Sequence, residues 1–108
     1  MKLTRERALE LHRQMWGDMQ QELGDNPNIL EREQYKRQWC QEHFPDEGIR
    51  DYCFLCEYAY NKSGRGFPCG YCPIKWDCDY CFDGGSIKKS YRNIPISELL
   101  TLPERKEE

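Results

Sequence analysis

Three Cys-x-x-Cys units fall within one short stretch of a 108-residue chain. Cys53-Phe54-Leu55-Cys56 is followed after twelve residues by Cys69-Gly70-Tyr71-Cys72, and after five more by Cys78-Asp79-Tyr80-Cys81. One such unit carries little information, but two at this separation are the usual pattern of a zinc site. Two residues between thiolates let a tight turn present both sulfurs to one ion, and a second turn completes the tetrahedron. The spacing therefore predicts a structural zinc held by Cys53, Cys56, Cys69 and Cys72. Gly64 and Gly66 in the intervening loop are expected to let the two turns meet, and Pro68, Gly70 and Pro73 suit a knuckle around the second pair.

Cys78 and Cys81 are left over. With Cys40 and His43, a Cys-x-x-His at the end of an expected helix, they make a candidate second metal site. Two alternatives stand beside it: a histidine at a helix end simply favours the negative pole of the dipole, or Cys78 or Cys81 replaces one of the first four ligands. A disulfide framework is disfavoured. It needs an oxidising compartment, no apolar leader opens the chain at Met1-Lys2-Leu3-Thr4, and seven cysteines is an odd number. A thioredoxin-like redox pair would want its Cys-x-x-Cys opening a helix in a strand-rich setting, which nothing around these pairs suggests.

The rest of the chain must position these sulfurs with a small core. Apolar residues make up 38% and charged residues 32%, and mean hydropathy is −0.98, so a metal staple has much to contribute to folding. No segment approaches the roughly 18 apolar residues that a membrane span requires. A reduced-cysteine protein of this composition is expected in the cytoplasm. Net charge is −3, without the basic footprint that phosphate contacts demand. The acidic excess is local: Glu42, Asp46, Glu47, Asp51 and Glu57 crowd the stretch 40–60, which points to a protein partner with a basic surface rather than to nucleic acid. An ordinary solvated face is the plainer reading of the same residues.

Periodicity supplies the framework. Ala8, Leu11, His12, Met15, Met19 and Leu23 recur at spacings of three and four, which predicts a helix over 4–23 with Thr4 as N-cap and Gly24 as stop. His12 lies in that stripe, where a packed and hydrogen-bonded histidine is more usual than a ligand. A second helix is expected over 29–43, capped by Asn28 and carrying Leu30, Tyr35, Trp39 and Cys40, with Pro45 beyond its end. The two should pack as an antiparallel hairpin. The expected architecture is a small α-rich, metal-stapled domain over 1–103: a helical hairpin (4–44) packed on a four-cysteine zinc-knuckle module (52–85), little or no sheet, and a C-terminal segment (86–103). A short helix is expected near 98–102, and 104–108 reads as a loose charged tail.

Leu11-His12-Arg13-Gln14-Met15-Trp16, the run Cys53 to Ala59, Cys69-Gly70-Tyr71-Cys72-Pro73-Ile74-Lys75-Trp76, Cys81, Gly84-Gly85 and Leu102-Pro103-Glu104-Arg105 together resemble a family of small cysteine-rich proteins encoded in phages and prophages of Gram-positive bacteria. Small phage metalloproteins of this type look like anti-CRISPR proteins directed at the type II RNA-guided nuclease. The resemblance implies a zinc-binding, non-enzymatic inhibitor that binds the effector nuclease and hinders target-DNA loading in the bacterial host. Cys40 and Cys78 depart from the family pattern, which leaves the second site outside it. The competing expectation is a nucleic-acid-binding zinc module, such as a phage transcription regulator, with Lys62, Arg65, Lys75, Lys88, Lys89 and Arg92 on phosphates. Enzymatic activity is not expected, because paired Cys-x-x-Cys units close the metal shell and no His-Glu-x-x-His or deaminase pattern is present.

Overall fold

The structure is a computed structural model that describes residues 2–49, 52–63, 72–74 and 94–104. About two thirds of these residues are helical, and an isolated antiparallel bridge between Ile74 and Glu104 is the one β pairing among them. The small α-rich fold with little or no sheet is thus present.

Helix α1 (Arg5–Leu23) forms as its periodicity requires. Thr4 stays extended and its Oγ1 accepts the Arg7 N–H at 3.1 Å, satisfying one of the orphan donors of the first turn. Gly24 ends the helix at φ +86°, a region in which only glycine is comfortable, while its N–H still reaches Gln20 O at 2.9 Å. One face of α1, from Ala8 through Leu11, Met15 and Met19, is buried throughout. This face is the centre of the molecule: α1 packs on α2, on α4 and most extensively on α3.

Helix α2 (Ile29–His43) begins with a reciprocal capping box, in which Asn28 Oδ1 accepts the Glu31 N–H and Glu31 Oε1 accepts the Asn28 N–H. Trp39 Nε1 donates to Asp18 at 2.9 Å. The buried face of α2 is not the one its apolar residues suggest. Leu30 is 63% exposed, whereas Arg32, Lys36, Trp39 and Cys40 are all 3% exposed or less. These four stand at i, i+4, i+7 and i+8, one helical stripe with two cations in it.

Helix α3 (Phe54–Ser63) corrects the sequence-based reading of a knuckle followed by a flexible loop. Phe54, Leu55 and Ala59 are buried at 1% or less, and Phe54 meets Trp39 and Phe44 edge to face. That burial against α1 outweighs the modest helix propensity of the tyrosines and phenylalanine. The stretch between the first two cysteine pairs is therefore helical through Ser63, and Ile49, between α2 and α3, is buried in the core.

Helix α4 (Ile96–Leu100) starts two residues before the expected position. Pro95 gives it no side-chain cap, and Asp25 supplies one from across the fold: its carboxylate accepts the Ser97 N–H at 2.7 Å and the Ser97 hydroxyl at 2.8 Å. The Asp25 carbonyl also accepts the Ile96 N–H. Arg32 closes the same clasp, donating from Nε to Pro27 O at 2.8 Å and from a terminal nitrogen to Ile94 O at 2.7 Å. Glu104, expected in the loose tail, is instead held by Arg5 at 3.2 Å and Arg13 at 2.9 Å while its backbone bridges to Ile74.

Candidate metal centre

Cys53 immediately precedes α3 and plays the part of an N-cap. Its Sγ accepts the Cys56 N–H at 3.2 Å, so the first turn of the helix sets the spacing between the two sulfurs. The turn that delivers Cys53 is strained: Tyr52 sits at φ +50°, an uncommon setting for an aromatic residue. The environment favours a thiolate. A hydrogen bond with the Cys56 side chain, the nearby Lys36 ammonium, and the backbone N–H groups of Cys56 and Leu55 draw Cys53 from about 9 down to about 7, against the opposing effect of burial. Backbone donors on sulfur, a helix N-terminus and a cation beside it all stabilise the anionic ligand that zinc requires. The two sulfurs thus have the donor chemistry that a soft divalent ion takes, and would supply half of a four-cysteine ligand set.

Of the second pair, Cys72 is buried beside Pro73 and Ile74, and Cys69 lies outside the described residues. No three His, Cys, Asp or Glu side chains gather closely enough to hold an ion among the described residues. Cys40, Cys53, Cys56 and Cys72 are not joined in disulfides. Cys53–Cys56 does open a helix, contrary to the sequence-based reading, but that helix packs on other helices rather than beside strands.

Of the candidate second site, Cys78 and Cys81 lie outside the described residues. Cys40 is 3% exposed and its thiol is pushed up to about 11, mainly by burial and further by the charge of Cys53, although Lys36 opposes the rise. His43 is exposed and stacks on Trp39 with ring centroids 3.8 Å apart, its Nδ1 lying 2.9 Å from the Trp39 carbonyl. The one group has the surroundings of a core thiol and the other those of a helix-end histidine.

The acidic cluster divides. Glu42, Asp46 and Glu47 are exposed around the C-terminal end of α2, with Glu42 accepting from Gln38 at 3.0 Å. Glu57 is buried and so does not belong to that outward face, and Asp51 lies outside the described residues. Among the basic residues considered for phosphate contact, Lys62 is described and exposed, and it lies near the Tyr58 ring.

Sequence reasoning missed two polar residues of the interior. Arg32 and Lys36 carry no signal of burial in their residue type, yet their register with Trp39 and Cys40 places them inward. His12 is buried as expected, but its Nε2 has no hydrogen-bond partner, and burial, followed by the charges of Arg13 and Lys36, lowers it to about 3. It is a neutral imidazole in the core. Comparison with protein-family models, with curated proteins and with solved structures returned no match to this chain.

Proposed function

We propose that this chain is a metal-stapled, non-enzymatic protein-binding module that inhibits a type II CRISPR effector nuclease by docking an acidic face on its positively charged nucleic-acid channel. Zinc, held by Cys53 and Cys56 together with Cys69 and Cys72, would fix the fold and take no part in chemistry. The supporting observation is where the exposed acids stand. Glu42 lies in the last turn of α2, and Asp46 and Glu47 follow directly. A carboxylate in the last turn of a helix is unfavourable by about 0.3–1 kcal/mol, so the placement of Glu42 there is poorly explained by folding. It is well explained by a basic partner, since RNA-guided nucleases hold their heteroduplex in a basic channel.

The test is target-DNA cleavage by such a nuclease with its guide, adding the protein before or after the DNA. Inhibition on early addition alone is expected. The triple variant Glu42→Lys, Asp46→Lys, Glu47→Lys should abolish it while leaving the helical circular dichroism spectrum intact. Inhibition by the triple variant at wild-type strength would remove the acidic face from the account. No inhibition across a panel of type II nucleases, together with a low-salt gel shift of DNA or RNA, would replace this reading with the nucleic-acid module.

A further inference from the structure

Two cysteines share the first turn of α3. The Cys53 carbonyl accepts the Glu57 N–H at 3.0 Å, and its Sγ accepts the Cys56 N–H at 3.2 Å. Those two bonds close the turn around the pair. A turn of helix sets Cα atoms three residues apart at about 5 Å. That separation lies within the range of about 4.4–6.8 Å over which two cysteines can be joined without moving the backbone. Phe54 and Leu55, the residues between them, are buried at 1% or less, so the core pins the turn. Cys53 and Cys56 nevertheless keep contact with solvent, whereas Cys40 is 3% exposed and out of reach of solutes.

We propose that Cys53 and Cys56 form a thiol–disulfide switch, a dithiol that a low-molecular-weight disulfide such as glutathione disulfide converts reversibly to an intramolecular disulfide. Cys53 attacks first, because the N–H groups at the start of α3 favour negative charge on its sulfur. A bond forms between Cys53 Sγ and one glutathione sulfur, the glutathione S–S bond breaks, and one glutathione thiolate leaves. Cys56 then attacks Cys53 Sγ, breaks the mixed disulfide and releases the second glutathione thiolate. Two electrons pass from the protein sulfurs to glutathione, and the two thiol protons end on the departing glutathiones. Excess reduced glutathione runs the same steps backwards. The switch needs no metal. Under the zinc reading above it decides whether that centre can form, since joined sulfurs have no thiolate to offer an ion.

The experiment uses the full chain as purified. It is equilibrated in buffers of reduced and oxidised glutathione, quenched with acid, alkylated in denaturant and cut with trypsin. Cleavage after Arg50 and Lys62 places Cys53 and Cys56 in one peptide with no other cysteine. In oxidising buffer that peptide is expected to lose two hydrogens and take up no alkylating agent, and to recover both thiols on return to reduced glutathione. Cys40 should be alkylated throughout, and the helical circular dichroism spectrum should be kept. Cys56→Ser should trap glutathione on Cys53, while Cys53→Ser should take it up on Cys56 roughly tenfold more slowly. A peptide that stays a dithiol in the most oxidising buffer would overturn the proposal. So would a cross-link from Cys53 or Cys56 to any other cysteine, or loss of the helical spectrum on oxidation, because the disulfide would then belong to the unfolded chain. Zinc is supplied to a second sample and its uptake read with a chromogenic chelator. A chain that takes up no zinc yet forms the disulfide would support the switch and remove the metal reading. A zinc-loaded chain whose pair stays reduced would remove the switch and leave the metal reading standing.

Discussion

Two cations one turn apart on α2 are buried to the same degree and meet different kinds of partner. Arg32 is met by fixed backbone oxygens: the carbonyls of Pro27 and Ile94 lie 2.8 and 2.7 Å from its nitrogens. Lys36 faces groups that change protonation, the thiols of Cys40 and Cys53 and the imidazole of His12. The Arg32 end is a clasp that closes the fold without any cofactor. The Lys36 end is set among sulfur and imidazole groups, whose charge changes with their protons. A buried charge is thus no single kind of feature; its partners decide whether it holds the chain or tunes a site.

The comparison is broken most severely by removing the metal. Zinc binding in small structural sites is worth on the order of 10 kcal/mol. Chelation should therefore strip hydrogen-exchange protection from α3 while the amides of Ile96 and Ser97 in the clasp retain theirs, and equal loss at both ends would make the two regions one cooperative unit. Next in size is Arg32→Met. It leaves two buried carbonyls without a donor, at about 1–3 kcal/mol each, so urea denaturation should show a loss of about 2–5 kcal/mol. Lys36→Met at saturating zinc should fall below about 1 kcal/mol, because removing a buried charge outright also removes its desolvation cost.

Gly24→Ala sharpens the picture of the clasp. A Cβ at this position meets nothing within 4 Å, so the cost is that of the backbone at φ +86°, about 1–2 kcal/mol by thermal melting. The smallest effect is that of acid on Asp25. Hydrogen bonds from the Ser97 backbone and then its side chain hold this carboxyl below its ordinary value of 3.8, although burial opposes them. A depressed carboxyl contributes stability that is present above its unfolded value and is lost as pH falls through the folded one. Wild type should therefore lose stability more steeply than Asp25→Asn as the pH is taken below about 4, and the two should run parallel near neutrality.

The framework was largely legible in the sequence. Thr4, Gly24 and Asn28 are local signals, and local signals set the ends of α1 and α2. Helix α3 was hidden because the residue just before it, Cys53, is a cysteine read as a ligand, and because its stability comes from Phe54, Leu55 and Ala59 packing on α1. The clasp was hidden for a related reason: Asp25 caps a helix seventy residues further on, and no spacing rule connects the two. The inward stripe of α2 was readable in principle, since Arg32, Lys36, Trp39 and Cys40 share one face. The apolar residues alone, Leu30 among them, pointed to a different face.

The clasp also bears on the cysteines it never touches. By fixing Ile94 against the α1–α2 turn while α3 is fixed on α1, it anchors both ends of the chain that carries Cys69 and Cys72. Joining the ends of a free segment of a few tens of residues costs on the order of 3 kcal/mol in entropy, and here that closure is made before any ion arrives. For the proposed zinc centre, Arg32 and Asp25 would thereby act as remote determinants of affinity: they would raise the effective concentration of the second cysteine pair at the first.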